Sequence, residues 1–260
     1  MSLLKIKTVQ TNAIKITFEC LKNILPEVNM LINKDYIKLN ATNASKTIFV
    51  FMKLDSEKFE DYELKNKKEP INIGINMINL YKPIKTIVNN DILTLLLDDK
   101  NKLKLQIENS EKDKLFKYEL NLIEQNNETV NLRDIDYETC VTMPSSEFQK
   151  VCKDFSSLEI ENIDIISIKN KIIFQGETDV GKSSVIFGDR ENGIICNNIS
   201  KSDNIIQGTF NLKYLELFTK CTNLCSTIQI YLGNDKPLTI NFNVGSLGQL
   251  KFVLSPKIKN

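Results

Sequence analysis

A single register shift of 135 residues lays one half of this chain over the other. Residues 35–52 fall on 170–187, so that Ile37 meets Ile172, Leu39 meets Phe174, Val50 meets Val185 and Phe51 meets Ile186. The same shift carries Ile75 onto Phe210, Asn76 onto Asn211, Met77 onto Leu212, Leu80 onto Leu215 and Lys85 onto Lys220. Further along, Leu103 meets Leu238 and Leu105 meets Ile240. Identities are few, so what repeats is a pattern of apolar positions. Self-similarity of this kind marks two copies of one structural unit. It restricts the chain to an architecture that can be written twice.

Each copy reads the same way. A short strand (3–9 and 139–143) leads into an amphipathic helix (12–24 and 146–157). Apolar strands with hairpin signals follow. A second helix (76–88 and 212–224) and three more strands complete the copy. Pro83 lies inside the first of these second helices and is expected to shorten or kink it. The turn Asp98-Asp99-Lys100-Asn101 matches Gly233-Asn234-Asp235-Lys236. The fold class is therefore α+β, with two similar domains of antiparallel sheet and two helices each. The expected domains are 1–121 and 137–260, joined by a polar connector at 122–136. Ile123, Val130, Leu132 and Ile135 in that connector either pin it to the body or line a docking groove.

Composition excludes whole classes of chemistry. The 260 residues contain no histidine, which removes Ser-His and Cys-His catalysis and histidine zinc sites. The six cysteines form no C-x-x-C pair and read as small buried hydrophobes rather than as metal ligands or disulfides. No metal site or cofactor is expected. The N-terminus lacks the apolar stretch of a signal peptide and no apolar run reaches transmembrane length, so an intracellular, soluble protein is expected. Net charge is only +1, so a nucleic-acid binder would have to segregate its lysines onto one surface.

One motif points to an enzyme. Residues 176–183, from Gly176 through Gly181, Lys182 and Ser183, satisfy the G-x-x-x-x-G-K-[ST] phosphate-loop pattern. A working phosphate loop needs a strand before it and a helix after it. The strand is legible at 171–175, but residues 183–189 are β-branched and aromatic and then turn. The repeat counterpart at 41–48 has no glycine. A hairpin is expected here, with a P-loop nucleotide hydrolase as the alternative.

Each predicted helix also carries a lysine pair at a separation of three or seven: Lys15 with Lys22, Lys82 with Lys85, Lys150 with Lys153, and Lys213 with Lys220. Each pair stacks on one side of its helix, as a surface for a DNA backbone would require. Glu19, Asp154 and Glu216 lie within a turn of these lysines, and such i,i+3 and i,i+4 pairs are equally ordinary on a solvated helix. Spacing alone leaves both readings open.

Several segments carry a resemblance. Residues 137–159, with Met143-Pro144-Ser145 and Glu147-Phe148, resemble the start of the second domain of the eukaryotic-type DNA sliding clamp family, proliferating cell nuclear antigen. Residues 210–243 resemble the second half of that domain, and 248–259 its C-terminal strand. Val9-Gln10, Leu21-Lys22, 55–63 and Lys82-Pro83-Ile84-Lys85 fall in register in the first domain. The resemblance implies a closed homotrimeric ring that encircles double-stranded DNA without catalysis of its own. It implies processivity and docking for a DNA polymerase and other replication and repair proteins, a clamp loader, and a nuclear or viral replication setting, with no membrane. The eight helix lysines would face the bore, twenty-four in a trimer. Residues 179–187 would pair with a neighbour's 111–120, with Leu115, Tyr118, Val185 and Phe187 as apolar contacts. Clients would bind at Thr42, Phe49, Val130, Leu132, Pro237, Phe252 and Pro256. Thr42, Lys46 and Arg133 depart from the family's usual residues in that groove. Lys169 aligns with a regulatory ubiquitin-acceptor lysine, though its flank, Asn170-Lys171, differs. A clamp-fold accessory factor that binds DNA as a monomer is a further alternative.

Overall fold

The computed structural model describes residues 2–99, 101–124, 134–188, 193–199 and 205–257. The chain forms two compact units. One comprises Met1–Ala44, Val50–Asn131 and Asn243–Leu250, the other Ser45–Phe49, Leu132–Phe242 and Lys251–Asn260.

The first copy of the repeat runs β1 (Leu4–Thr8), α1 (Thr11–Ile24), β2 (Glu27–Ile32), β3 (Tyr36–Thr42), β4 (Ile48–Asp55), β5 (Asp61–Leu64), β6 (Ile71–Asn76), α2 (Met77–Ile84), β7 (Ile92–Asp99), β8 (Lys102–Asn109) and β9 (Lys114–Asn121). The second runs β10 (Thr139–Pro144), α3 (Ser145–Ser157), β11 (Asn162–Ile168), β12 (Lys171–Thr178), β13 (Gly181–Gly188), β14 (Ile195–Asn198), β15 (Ile206–Asn211), α4 (Leu212–Thr219), β16 (Thr227–Leu232), β17 (Leu238–Val244) and β18 (Gly248–Leu254). Strands lie side by side in the orders β5-β1-β7-β8-β9 and β4-β3-β2-β6 in the first copy. In the second they follow β14-β10-β16-β17-β18 and β13-β12-β11-β15. Element by element, these are the same two orders. The repeated apolar pattern is thus a repeated topology.

The local signals explain the helix ends. Asn76 and Asn211, superimposed by the repeat, are both N-caps. The Asn76 side chain accepts from Asn79 N at 3.0 Å, and that of Asn211 from Lys213 N at 3.1 Å. The second helices are shorter than their sequence pattern: α2 ends at Ile84 and α4 at Thr219. Both stop at the same repeat position although α4 has Phe218 where α2 has Pro83, and Lys85 N still donates to Tyr81 O at 2.8 Å, so the proline does not set the end of α2. The start of the connector is pinned: Ile123 N donates to Gly74 O at 3.0 Å. Gly74 is required there, because a Cβ would sit 2.5 Å from the Ile123 carbonyl oxygen. Val130 and Leu132 lie outside the described residues.

The two cores differ in chemistry. Phe174, Phe210 and Phe242 fill the second core where Leu39, Ile75 and Ile107 stand in the first, all six buried. The aliphatic first core retains an apolar void of about 40 Å³ lined by Leu4, Ile14, Phe18, Met30 and Met52 among others.

Two tyrosines couple the first unit to pH. Burial, then the charge of Glu19, pushes the Tyr81 phenol up to about 12 from 10.0. Burial, then Asp35, raises that of Tyr62 still further, and its hydroxyl donates to Asn33 O at 2.7 Å. A neutral phenol retained by the folded state means that the folded protein binds more protons than the unfolded chain above the ordinary phenol pKa. This contribution to stability is complete below pH 10.0 and is lost as pH rises through about 12. Urea midpoints are therefore expected to fall across that window, and Tyr81→Phe to flatten the fall. A midpoint independent of pH there would refute the assignment.

Candidate nucleic-acid interface

In each copy the two helices pack against one another, α1 with α2 and α3 with α4. Each turns an apolar stripe inward: Ile14, Phe18 and Leu21 on α1, Leu80 and Ile84 on α2, Phe148, Val151 and Phe155 on α3, Leu215 and Phe218 on α4. The lysines occupy the remaining face. Lys82, Lys85, Lys150, Lys153, Lys213 and Lys220 are exposed, while Lys15 and Lys22 are half-buried.

The acids nearby do not neutralise them. Among the described residues none of the eight helix lysines forms an ion pair. Glu19 hydrogen-bonds the Tyr81 side chain instead. Lys22 lies over the Tyr81 ring, its Nζ 4.2 Å from the centroid. Lys15 donates to Ile87 O at 2.7 Å and Lys82 to Asn79 Oδ1 at 2.8 Å. The ion pairs belong to strands and turns: Lys5–Asp61 at 2.6 Å, Lys53–Asp55 at 2.8 Å, Lys104–Asp98 at 2.7 Å, Lys182–Glu177 at 2.7 Å and Lys236–Glu138 at 2.9 Å. The bonded carboxylates raise the pKa of Lys5, Lys53, Lys104 and Lys182, and Lys104 lowers that of Asp98. A chain of net charge +1 thus carries on its four helices eight lysines that form no ion pair among the described residues. Such a face is complementary to phosphates and carries no base-reading geometry.

The phosphate-loop pattern is a hairpin. Thr178 pairs with Gly181 across the two-residue turn Asp179–Val180, and the ladder continues to Lys171↔Gly188. Lys182 is engaged by Glu177 on the facing strand. No helix follows, so the backbone N–H groups that would cradle a phosphate are committed to β-pairing.

The two strands singled out as subunit contacts are both edges, β9 in the first copy and β13 in the second. On β9, Leu115 is 52% exposed and Tyr118 half-buried. On β13, Val185 and Phe187 are half-buried, with Phe187 edge-on to Phe174 at 6.1 Å, while Ile186, 58% exposed, points outward. Of the client-groove residues, Phe49 is buried and Pro237 and Pro256 are half-buried in the second unit, and Thr42 is half-buried in the first. Phe252 is 0% exposed, stacked on Phe218 and edge-on to Phe242. Lys46 is exposed; Val130, Leu132 and Arg133 are outside the described residues. Lys169 is exposed in the tight β11–β12 turn at φ 51°.

Comparison with known proteins decides the family. Residues 3–132 match the model of the N-terminal domain of proliferating cell nuclear antigen, and 131–257 that of its C-terminal domain. The chain belongs to the proliferating cell nuclear antigen family. It is 34% identical over 261 residues to the probable DNA polymerase sliding clamp 1 of Paramecium bursaria Chlorella virus 1, covering 98% of this chain and 97% of that one. It is 30% identical over 259 residues to the proliferating cell nuclear antigen of Chaetomium thermophilum, covering 98% of each. Its fold matches the crystal structure of the family member from Entamoeba histolytica with a TM-score of 0.89, at 24% identity, over 99% of this chain and 100% of that one.

Proposed function

We propose that this chain is the subunit of a DNA sliding clamp, a ring that encircles duplex DNA and tethers a DNA polymerase and other replication and repair proteins to it. The observation that carries the reading is that all four helices present lysines and that, among the described residues, none of these eight forms an ion pair. A clamp must hold DNA without stopping on it, and ammonium groups facing phosphates do so without reading sequence.

The ring would be a homotrimer closed by β9 of one subunit pairing with β13 of the next, which satisfies two otherwise open edges. Clients would dock beside Thr42, Phe49, Pro237 and Pro256 together with Val130 and Leu132, and a loader would open the ring. Such a protein contributes binding rather than catalysis, at sites of DNA replication in a nucleus or a viral compartment. Lys169 would be the position for a regulatory modification.

Charge reversal at Lys82 and Lys85 tests the reading. The double variant is expected to show at least tenfold weaker retention on linear duplex, with an unchanged elution volume, because two attractive phosphate contacts per subunit become repulsive. Unchanged retention would refute the bore assignment. A mass in solution of 29.8 kDa, rather than three times that, would favour the monomeric accessory factor.

A further inference from the structure

Six prolines stand in the chain, and Pro256 alone follows a serine or threonine. That residue, Ser255, comes directly after β18, whose last three residues, Phe252, Val253 and Leu254, are buried. Ser255 itself is exposed, Pro256 is half-buried and Lys257 is exposed. The chain leaves its core at this serine.

The backbone around it is held outside any helix or strand. Ser255 N donates to Thr47 O at 3.0 Å, and Lys257 N to Thr209 O at 2.8 Å. Pro256 has no N–H to commit, and its ring keeps the residue before it out of the helical region. Among the described residues the Ser255 hydroxyl has no hydrogen-bond partner. Other hydroxyls of the second unit are engaged: Ser157 donates to Asp154 O at 2.7 Å and Thr222 to Thr219 O at 2.6 Å. The surrounding charge suits an anion. Lys46, which precedes Thr47, and Lys257 are both exposed, and among the described residues neither forms an ion pair. All of these residues belong to the second unit.

We propose that Ser255 is the acceptor of a proline-directed protein kinase, and that its phosphorylation releases clients from the groove beside Pro256. The donor is ATP. The bond from Ser255 Oγ to the γ-phosphorus forms as the bond from that phosphorus to the β,γ-bridging oxygen breaks. ADP leaves, and the hydroxyl proton passes to the kinase's catalytic carboxylate. Phosphoserine carries a charge of about −1.5 to −2 at pH 7. A client covering Pro256 would have to strip water from that charge, which opposes docking. The release rests on the docking reading given above, whereas the phosphorylation does not.

The test treats the full chain with ATP and a cyclin-dependent kinase. The chain is expected to gain the mass of one phosphoryl group, located on Ser255 by peptide fragmentation. Ser255→Ala and Pro256→Ala are each expected to abolish the gain with an unchanged far-UV spectrum. An untouched wild-type chain, or equal incorporation into Ser255→Ala, overturns the proposal. Equal incorporation into Pro256→Ala overturns its proline-directed character. Release is read with a labelled amphipathic helical peptide bearing aromatic anchors at i, i+3 and i+4, the form an apolar groove accepts. It is expected to bind the phosphorylated chain and Ser255→Glu several-fold more weakly than the untreated chain and Ser255→Ala. Equal binding to the phosphorylated and untreated chains overturns the release. A peptide that binds neither form refutes the docking reading and the release with it, and the mass gain alone then decides the acceptor.

Discussion

Phe252→Ala is expected to destabilise the second unit by about 3–5 kcal/mol, the cost of removing a buried aromatic ring and leaving a cavity. The ring is 0% exposed. It stacks on Phe218 at 4.5 Å with an interplanar angle of 6°, and meets Phe242 edge-on at 5.9 Å and 76°. β18, which carries it, is held at its end by Ser255 N donating to Thr47 O at 3.0 Å. Two aromatic neighbours in fixed orientations cannot both move in to fill the space, so relaxation recovers little. Urea unfolding should show the loss as a lower midpoint. Lys213→Ala, on an exposed helix face, should change stability by no more than about 0.5 kcal/mol. A Phe252→Ala midpoint indistinguishable from that of Lys213→Ala would mean that the ring is not part of the core.

The second large effect is expected at the subunit edge. Leu115 is 52% exposed on the edge strand β9, so Leu115→Asp leaves the folded chain almost untouched. In an assembled ring the same carboxylate would be buried against β13 of the neighbour without a partner, at a cost of several kcal/mol per interface. Each interface of a closed ring contains that position once, so every joint is weakened. The expected result is a shift from three times the chain mass to 29.8 kDa, with an unchanged far-UV spectrum and loss of retention on circular DNA. A variant that stays assembled would remove β9 from the interface. The two substitutions separate cleanly, since one acts on folding and the other on association.

The sequence reading and the structure agree where the information is local. The 135-residue repeat was legible because burial repeats with the period of each helix and strand. Asn76 over Asn211 was an identity in the sequence and is a shared helix cap in the structure. The phosphate-loop pattern was likewise answered locally, since the residues after Lys182 prefer a strand and form one.

What sequence could not show is where a side chain goes once the chain is folded. Glu19, Asp154 and Glu216 sit at spacings that permit ion pairs with the helix lysines. The structure sends Glu19 to Tyr81 and Lys15 to the carbonyl of Ile87, partners far along the chain. Phe252 resembled a groove residue by its place in the C-terminal strand, yet it faces the core.

By itself the sequence determined that two equivalent α+β units would form and that every helix would carry a lysine pair. The tertiary structure decided whether those lysines keep their charge available. Periodicity assigns a residue to a face, but whether that face is neutralised depends on which distant strands and loops arrive next to it. That is fixed only when the sheets close and the helices pack.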